Sequence, residues 1–322
     1  MSNSTLAAQA EFRQSLREGC HAYVEGYGTS YGYQPSLAAG IVFCVLFGVS
    51  MLAHLVQMVW KRTWWCTVFV LGCAVELIGW AGRTWSAECP YNSTAFLMQI
   101  STLIIGKSHN LLERLIHQTL ALIHHLVSAP TFFTAGIYVL LGRFIALMGP
   151  ETSMLSPKLY LWIFVTCDIV SLVVQAIGGG LASIAYNSAD GNTEPGTHTM
   201  VAGIVFQLAS ITVFVLLAAD FVRRTLRLRL LQTMTGSVVP LLGAMILSVV
   251  VIYVRSIYRT IELSQGWSGY LITHEVYFIV LDGVMMVIAV AVFNVFHPGW
   301  LLPKGAVKPF HREINSFDME RR

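Results

Sequence analysis

Residues 274–296 read HEVYFIVLDGVMMVIAVAVFNVF, an apolar run long enough to cross a bilayer as a single helix. Two acids, Glu275 and Asp282, stand seven residues apart within it. Seven residues is close to two helical turns, so both lie along one face. The same spacing recurs in other hydrophobic stretches, as Glu76…Arg83, Asp168…Gln175 and Arg255…Arg259…Glu262. A charge in hydrocarbon costs roughly 2.5–3.5 kcal/mol on insertion scales, so these faces are expected to point inward, at each other or at water.

The composition agrees. Hydrophobic residues make up 55% of the 322 and charged residues only 11%, with a mean hydropathy of +0.65. A soluble domain carries roughly 25% charged residues, so an all-α integral membrane protein is expected. The net charge of +3 is small and spread out, which leaves no electrostatic footprint for nucleic acid. Residues 1–35 are polar and lack the apolar stretch of a cleavable signal peptide. The closing Glu320-Arg321-Arg322 fits no prenylation box, retrieval tetrapeptide or glycolipid-anchor tail.

Spans are predicted near 36–58, 64–85, 127–148, 159–181, 199–222, 236–258 and 274–296, giving a seven-transmembrane-helix bundle. Membrane domain 36–296 then separates an extracellular N-terminal segment, 1–35, from a cytoplasmic tail, 297–322. Basic residues alternate between loops. Lys61 and Arg62 follow the first span, Arg143 and Lys158 flank the next turn on that side, Arg223, Arg224, Arg227 and Arg229 follow the fifth, and Lys304, Lys308 and Arg312 follow the seventh. Loops 86–94, 183–198 and 263–273 contain no Lys or Arg. The positive-inside rule puts the N-terminus outside and the C-terminus in the cytosol, with Arg13 and Arg17 as a distant exception. Trp60, Trp64 and Trp65 suit the inner interface, and the run Arg223–Arg229 suits anionic inner-leaflet lipid.

Asn3-Ser-Thr and Asn92-Ser-Thr are glycosylation sequons on the expected outer side, although one is terminal and the other hugs the membrane. Cys20 and Cys89 are both outer, where a disulfide is chemically permitted, but nothing in the sequence sets their distance. Cys44, Cys66, Cys73 and Cys167 fall within spans and read as packed thiols. Pro130 and Pro240 are expected to kink their helices. Gly178-Gly179-Gly180 suits close helix packing better than a hinge.

Residues 106–126, GKSHNLLERLIHQTLALIHHL, interrupt an apolar run that otherwise continues through Pro130 to Arg143. A phosphate-binding loop would need a glycine five residues before Gly106, and Ser101 stands there, so that reading fails. His109, His117, His124 and His125 lack a Cys or carboxylate cluster, so an interfacial amphipathic segment is preferred to a metal site. A third reading is a short retained intron translated in frame, because Gly-Lys-Ser is encodable across a splice donor and Leu126-Val127 across an acceptor.

Orientation grades the polar faces by depth. Glu76, Asp168 and Asp282 are expected near mid-membrane. Arg83, Gln175, Arg255, Arg259, Glu262 and Glu275 lie nearer the outside. One reading is interhelical ion pairing. The preferred one is an outward-opening polar cavity with an acidic floor, suited to a protonated amine on a greasy molecule. No G-x-S-x-G, H-E-x-x-H, metal or cofactor motif appears, so the chain is not read as an enzyme. Lysine is absent from the predicted spans, which removes a retinal Schiff base.

Tyr33-x-Pro35-Ser36, Glu76-Leu-Ile-Gly-Trp-x-x-Arg83, Ala129-Pro130, Leu141-Gly142-Arg143, Asp168-x-x-Ser171-x-x-x-Gln175-x-x-Gly178, Arg255-x-x-Tyr258-Arg259-x-x-Glu262, Glu275…Asp282 and His297-Pro298-Gly299 occur in this order. Together they resemble the fungal RTA-like family of lipid-translocating exporters, named for resistance to aminocholesterol. The resemblance implies seven spans, an outer N-terminus, a plasma-membrane or endomembrane location, and roles in sphingoid-base release or resistance to toxic amphiphiles. It implies membrane lipids or amphiphilic small molecules as partners. In the family the third helix runs uninterrupted to Ala-Pro, which favours the retained-intron reading of 106–126. The competing functional readings are a seven-helix lipid sensor and a structural partner of a pump.

Overall fold

In a computed structural model of the chain, the described residues are 12, 15, 16, 19–29, 31–92, 95, 129–186, 193–230, 238–266 and 269–303. They are helical, without strands. The helices are α1 (Leu37–Lys61), α2 (Thr67–Glu88), α3 (Ala129–Met148), α4 (Pro157–Tyr186), α5 (Glu194–Arg227) and α6 (Val238–Ser264). Then come α7, which runs through Glu275–Phe278, a π-helical turn Ile279–Val284 and Met285–Val295, and the short α8 (Pro298–Leu301). Among the described residues seven helices are long and apolar enough to cross a membrane.

The patterning of α1 shows what solvent the bundle is built for. Phe43, Phe47, Ser50, His54 and Met58 are buried, and they recur every three or four residues along one face. The opposite face carries Ile41, Val45, Val49, Leu52, Val56 and Val59, all exposed. A helix with polar residues inside and apolar residues outside fits hydrocarbon, not water.

Close approach joins neighbouring helices. A Cβ added to Gly178 would strike the Met200 backbone, one on Gly196 would strike Ala182, and one on Gly203 would strike Gln175 and the Ser171 carbonyl. Small residues thus let α4 and α5 pack backbone to backbone, the usual way apolar helices gain contact within lipid. Between α2 and α3 the fit is reciprocal, with Phe133 over Gly72 and Phe69 over Gly136.

Five spans run past their predicted ends, α5 and α6 among them. Helix α5 continues through Arg227, because Arg223 and Arg224 pair with Asp220 at 2.8 and 2.6 Å along the helix surface. Basic side chains also suit the negative end of the helix dipole. Helix α6 runs to Ser264, so Glu262 lies inside the helix and is buried, not beyond its end. Pro130 and Pro240 belong to α3 and α6, and the residues preceding each helix, 96–128 and 231–237, lie outside the described residues. Segment 106–126 with its four histidines, and Asn3, lie outside the described residues.

Candidate functional site

The π-helical turn of α7 carries Asp282. Such turns place a side chain off the ordinary helical register. Gly283 follows, and a Cβ there would collide with the Trp80 and Phe43 rings, so α7 presses directly on α1 and α2 at this level. Trp80 and Phe43 stack with centroids 4.0 Å apart.

Around Asp282 the structure assembles a cluster of opposite charges. Arg255 Nε lies 2.8 Å from Asp282 Oδ1, too bent for an aligned hydrogen bond, and Arg259 Nε lies 3.9 Å from the same oxygen. Arg259 Nη1 donates to Glu262 Oε2 at 2.6 Å, and Tyr258 donates its hydroxyl to Glu262 Oε1 at 2.8 Å. Glu76 accepts a hydrogen bond from the Trp80 side chain and lies within electrostatic range of Asp282, Arg255 and Arg259. Three carboxylates, Glu76, Glu262 and Asp282, therefore face two guanidinium groups, leaving one formal negative charge. In a low-dielectric bundle that charge calls for a proton or a cation.

A second pair lies at the α2–α7 junction. Arg83 Nη2 donates to Glu275 Oε1 at 2.7 Å and to the Tyr33 hydroxyl at 2.8 Å. Its guanidinium lies 4.6 Å from the Phe278 ring centroid and 5.7–5.8 Å from those of Tyr31, Tyr33 and Trp80, inside an aromatic enclosure that favours a cation. Tyr31 donates to Ser86 Oγ at 2.9 Å. Burial pushes the Tyr31 phenol up to about 12 and raises that of Tyr33, so both remain neutral.

Asp168 belongs to neither group. Its Oδ2 accepts from the Thr134 and Tyr138 hydroxyls, both at 3.1 Å, and its residue is buried between α3 and α4. Gln175 donates to Gln207 Oε1 at 3.1 Å across the α4–α5 contact. The three acids expected at mid-depth thus occupy two settings. Glu76 and Asp282 share one, and Asp168 is held by hydroxyls in the other.

The N-terminal segment is also tied to the end of α2. Cys20 and Cys89 are disulfide-bonded, with Cα atoms 4.8 Å apart. Asn92 Nδ2 donates to the Gly19 carbonyl at 3.3 Å, and its Oδ1 accepts from Ala95 N at 3.1 Å, so this sequon's amide is already engaged. Cys66 and Cys73 are buried free thiols, and Cys44 and Cys167 are half-buried ones. A groove of about 520 Å³ lies between α1 and α2, lined by Ile41, Cys44, Val45, Ala81, Thr84, Trp85 and Glu88.

Sequence reasoning missed three features. The π turn has no periodicity of its own, since its residues are as apolar as those around it. The aromatic enclosure of Arg83 depends on Tyr31 and Phe278, which come from separate segments. The third is a polar seam between α1 and α7, where Gln57 Nε2 donates to the Asn294 carbonyl at 2.8 Å and Asn294 Nδ2 to Ser50 Oγ at 2.6 Å. Uncharged residues carried it, so a search for charge passed over it.

A family model described as RTA1 like protein matches residues 69–111 and 107–305, the two pieces meeting inside the segment 106–126. Over 84% of its length the chain is 33% identical to the sphingoid long-chain base transporter RSB1 of Saccharomyces cerevisiae, covering 73% of that protein. It is 30% identical to protein RTA1 of the same yeast, over 83% of this chain and 84% of that one. To the yeast protoporphyrin uptake protein 1 it is 27% identical, over 82% of this chain and 90% of that one. No solved structure matches. With its seven apolar helices, the chain is a multi-pass integral membrane protein and belongs to the RTA1-like family.

Proposed function

We propose that this protein translocates amphiphilic lipids or lipid-like toxic compounds, and that its preferred cargo carries one cationic head group, as sphingoid bases and aminosterols do. The observation that carries this reading is the unbalanced cluster of Glu76, Glu262 and Asp282 against Arg255 and Arg259. Its single uncompensated acid holds a proton in one state and a cargo ammonium in the other, so exchange of the two needs no nucleotide. The relative named as a sphingoid long-chain base transporter supports the cargo class. The open groove between α1 and α2 also supports it, because an apolar surface that includes the Glu88 carboxylate fits a chain with a basic end.

On this reading the N-terminus is outside, the protein acts in the plasma membrane, and it contributes to efflux or resistance. Residues 106–126 are proposed to be a retained intron. Recovery of a tryptic peptide from 115–143 in the native protein would refute that point alone. The functional test is lipid flux in vesicles carrying purified protein lacking 106–126. Movement of a long-chain amine between leaflets supports the proposal, whereas saturable binding without flux supports a sensor.

A further inference from the structure

Residues 20–29 and 31–36 precede α1, yet they do not trail away from the bundle. They cross the end that carries Glu275 and are fastened to it along their length. Upstream, Cys20 is disulfide-bonded to Cys89 at the end of α2. Further on, the Val24 N–H donates to the Tyr91 hydroxyl at 3.1 Å, and that hydroxyl lies 3.0 and 3.1 Å from the Val24 and Tyr27 carbonyls. Downstream, the Tyr33 hydroxyl accepts from Arg83, and the Ser36 N–H donates to Glu275. A tight turn shapes this last part. Thr29 Oγ1 donates to the Tyr33 carbonyl at 2.7 Å, and the Gly32 N–H donates to the Thr29 carbonyl at 3.2 Å. Gly32 takes a φ of 75°, which glycine adopts without steric cost.

Beneath this segment stand the helices that hold the Asp282 cluster. Tyr31 reaches Ser86 of α2, Gly32 faces Thr273 just before α7, and Tyr33 is within electrostatic range of Glu262 on α6. Glu76 and Asp282 stand seven residues deeper than Arg83 and Glu275 on α2 and α7. At 1.5 Å per residue that is about 10 Å. Glu262 and Asp282 are buried, and Arg259 is the partly open edge of the cluster. A head group arriving from this end therefore meets the segment before it meets the acids. The fastenings differ in strength. The disulfide is covalent, whereas Tyr33 is half-buried and holds Arg83 by one hydrogen bond.

We propose that residues 31–36 form a lid over the Asp282 cluster, latched by the Tyr33–Arg83 hydrogen bond and tethered by Cys20–Cys89, which lifts to connect the cluster with solution. Lifting parts Tyr33 from Arg83 and Tyr31 from Ser86, and it leaves Arg83 paired with Glu275. Because the disulfide fixes the upstream end and α1 the downstream end, the lid lifts as a closed loop and can fall back into the same contacts. Its part in transport rests on the reading of the cluster given above, but its opening does not.

Opening is tested by labelling full-length Ser86→Cys protein in nanodiscs with a charged, membrane-impermeant methanethiosulfonate. The native free thiols Cys44, Cys66, Cys73 and Cys167 lie within the spans, and wild type sets the background. Tyr33→Phe removes only the latch hydroxyl. It is expected to speed labelling of Ser86→Cys about tenfold or more, the scale of a lost hydrogen bond to a charged group. An equal rate with and without Tyr33→Phe would overturn the proposal. Should Ser86→Cys not fold, backbone hydrogen exchange across 31–36 decides: faster exchange in Tyr33→Phe than in wild type supports the lid, and equal exchange overturns it.

Closure is tested by combining Gly32→Cys with Thr273→Cys, since a Cβ at position 32 would lie 3.8 Å from Thr273 Cβ, the usual disulfide spacing. Both redox states of this variant carry the same strain at position 32, so their comparison isolates the new bond. The cross-linked form is expected to lose flux of a long-chain amine and to regain it on reduction, with wild type given the same reductant as control. Flux that persists through complete cross-linking would overturn the lid. Labelling that responds to Tyr33→Phe while no form moves amine supports the lid and counts against the transport reading alone.

Discussion

Arg83 and Glu275, 192 residues apart in the chain, meet at 2.7 Å, and the same Glu275 oxygen accepts the Ser36 backbone N–H at 2.8 Å. Ser36 Oγ in turn accepts from Ala39 N and caps α1. One carboxylate oxygen therefore joins the starts of α1 and α7 to the C-terminal part of α2. Arg83→Leu is expected to destabilise the protein by about 3 kcal/mol, the usual scale for breaking a buried pair. Arg83→Lys should recover little, because an ammonium cannot reproduce the planar stacking within four aromatic rings. Thermal unfolding in detergent measures both.

Asp168 and Glu76 should respond differently to removal of charge. Asp168 accepts two hydroxyl donors, and an asparagine carbonyl can still accept both, so Asp168→Asn should leave folding and flux close to wild type. Glu76→Gln removes the uncompensated charge and should abolish amine flux while the protein still reaches the membrane. A flux assay on both variants, with surface expression as control, separates them.

The α4–α5 contact leaves no room for a side chain at Gly196. Gly196→Val should cost about 3 kcal/mol or prevent folding, at the upper end of overpacking penalties. Gly180, which meets nothing within 4 Å, should accept alanine with little change. Size-exclusion profiles and melting temperatures of the two variants provide the comparison.

The Cys20–Cys89 bond carries a topological prediction. Both residues are expected outside, where disulfides persist. Peptide mapping of protein from intact cells without reductant should return the linked pair, and recovery as two free thiols would place these loops on the reducing side.

Tyr31 predicts an alkaline limit. Its phenol is raised from 10.0 to about 12 by burial, so the folded state holds its proton more tightly than the unfolded state. The resulting stability is complete below pH 10 and is lost as pH rises through about 12. Tyr31→Phe should flatten this loss, which melting temperatures between pH 9 and 12 would detect.

The seven-helix architecture and the polar faces were legible because the bilayer imposes two simple rules, apolar length and costly charge. Glu76, Arg83, Arg255, Arg259, Glu262, Glu275 and Asp282 all break an apolar background, so each stood out. Their pairing was not legible. It depends on the rotation of each helix, which close-packed glycines and the π turn at Asp282 set through contacts between distant segments. His54, Gln57 and Asn294 were invisible for another reason. A lone neutral polar residue in a span looks like ordinary composition until its neighbours on a second helix are known.

The proposed transport turns on one uncompensated acid in the Asp282 cluster that takes a cationic head group. Its most direct test compares leaflet-to-leaflet flux of a long-chain amine with that of its N-acetylated, uncharged analogue, in vesicles bearing wild-type protein or Glu76→Gln. Wild type is expected to move the amine alone quickly, and Glu76→Gln to lose that preference. Equal flux of amine and neutral analogue in wild type would contradict it.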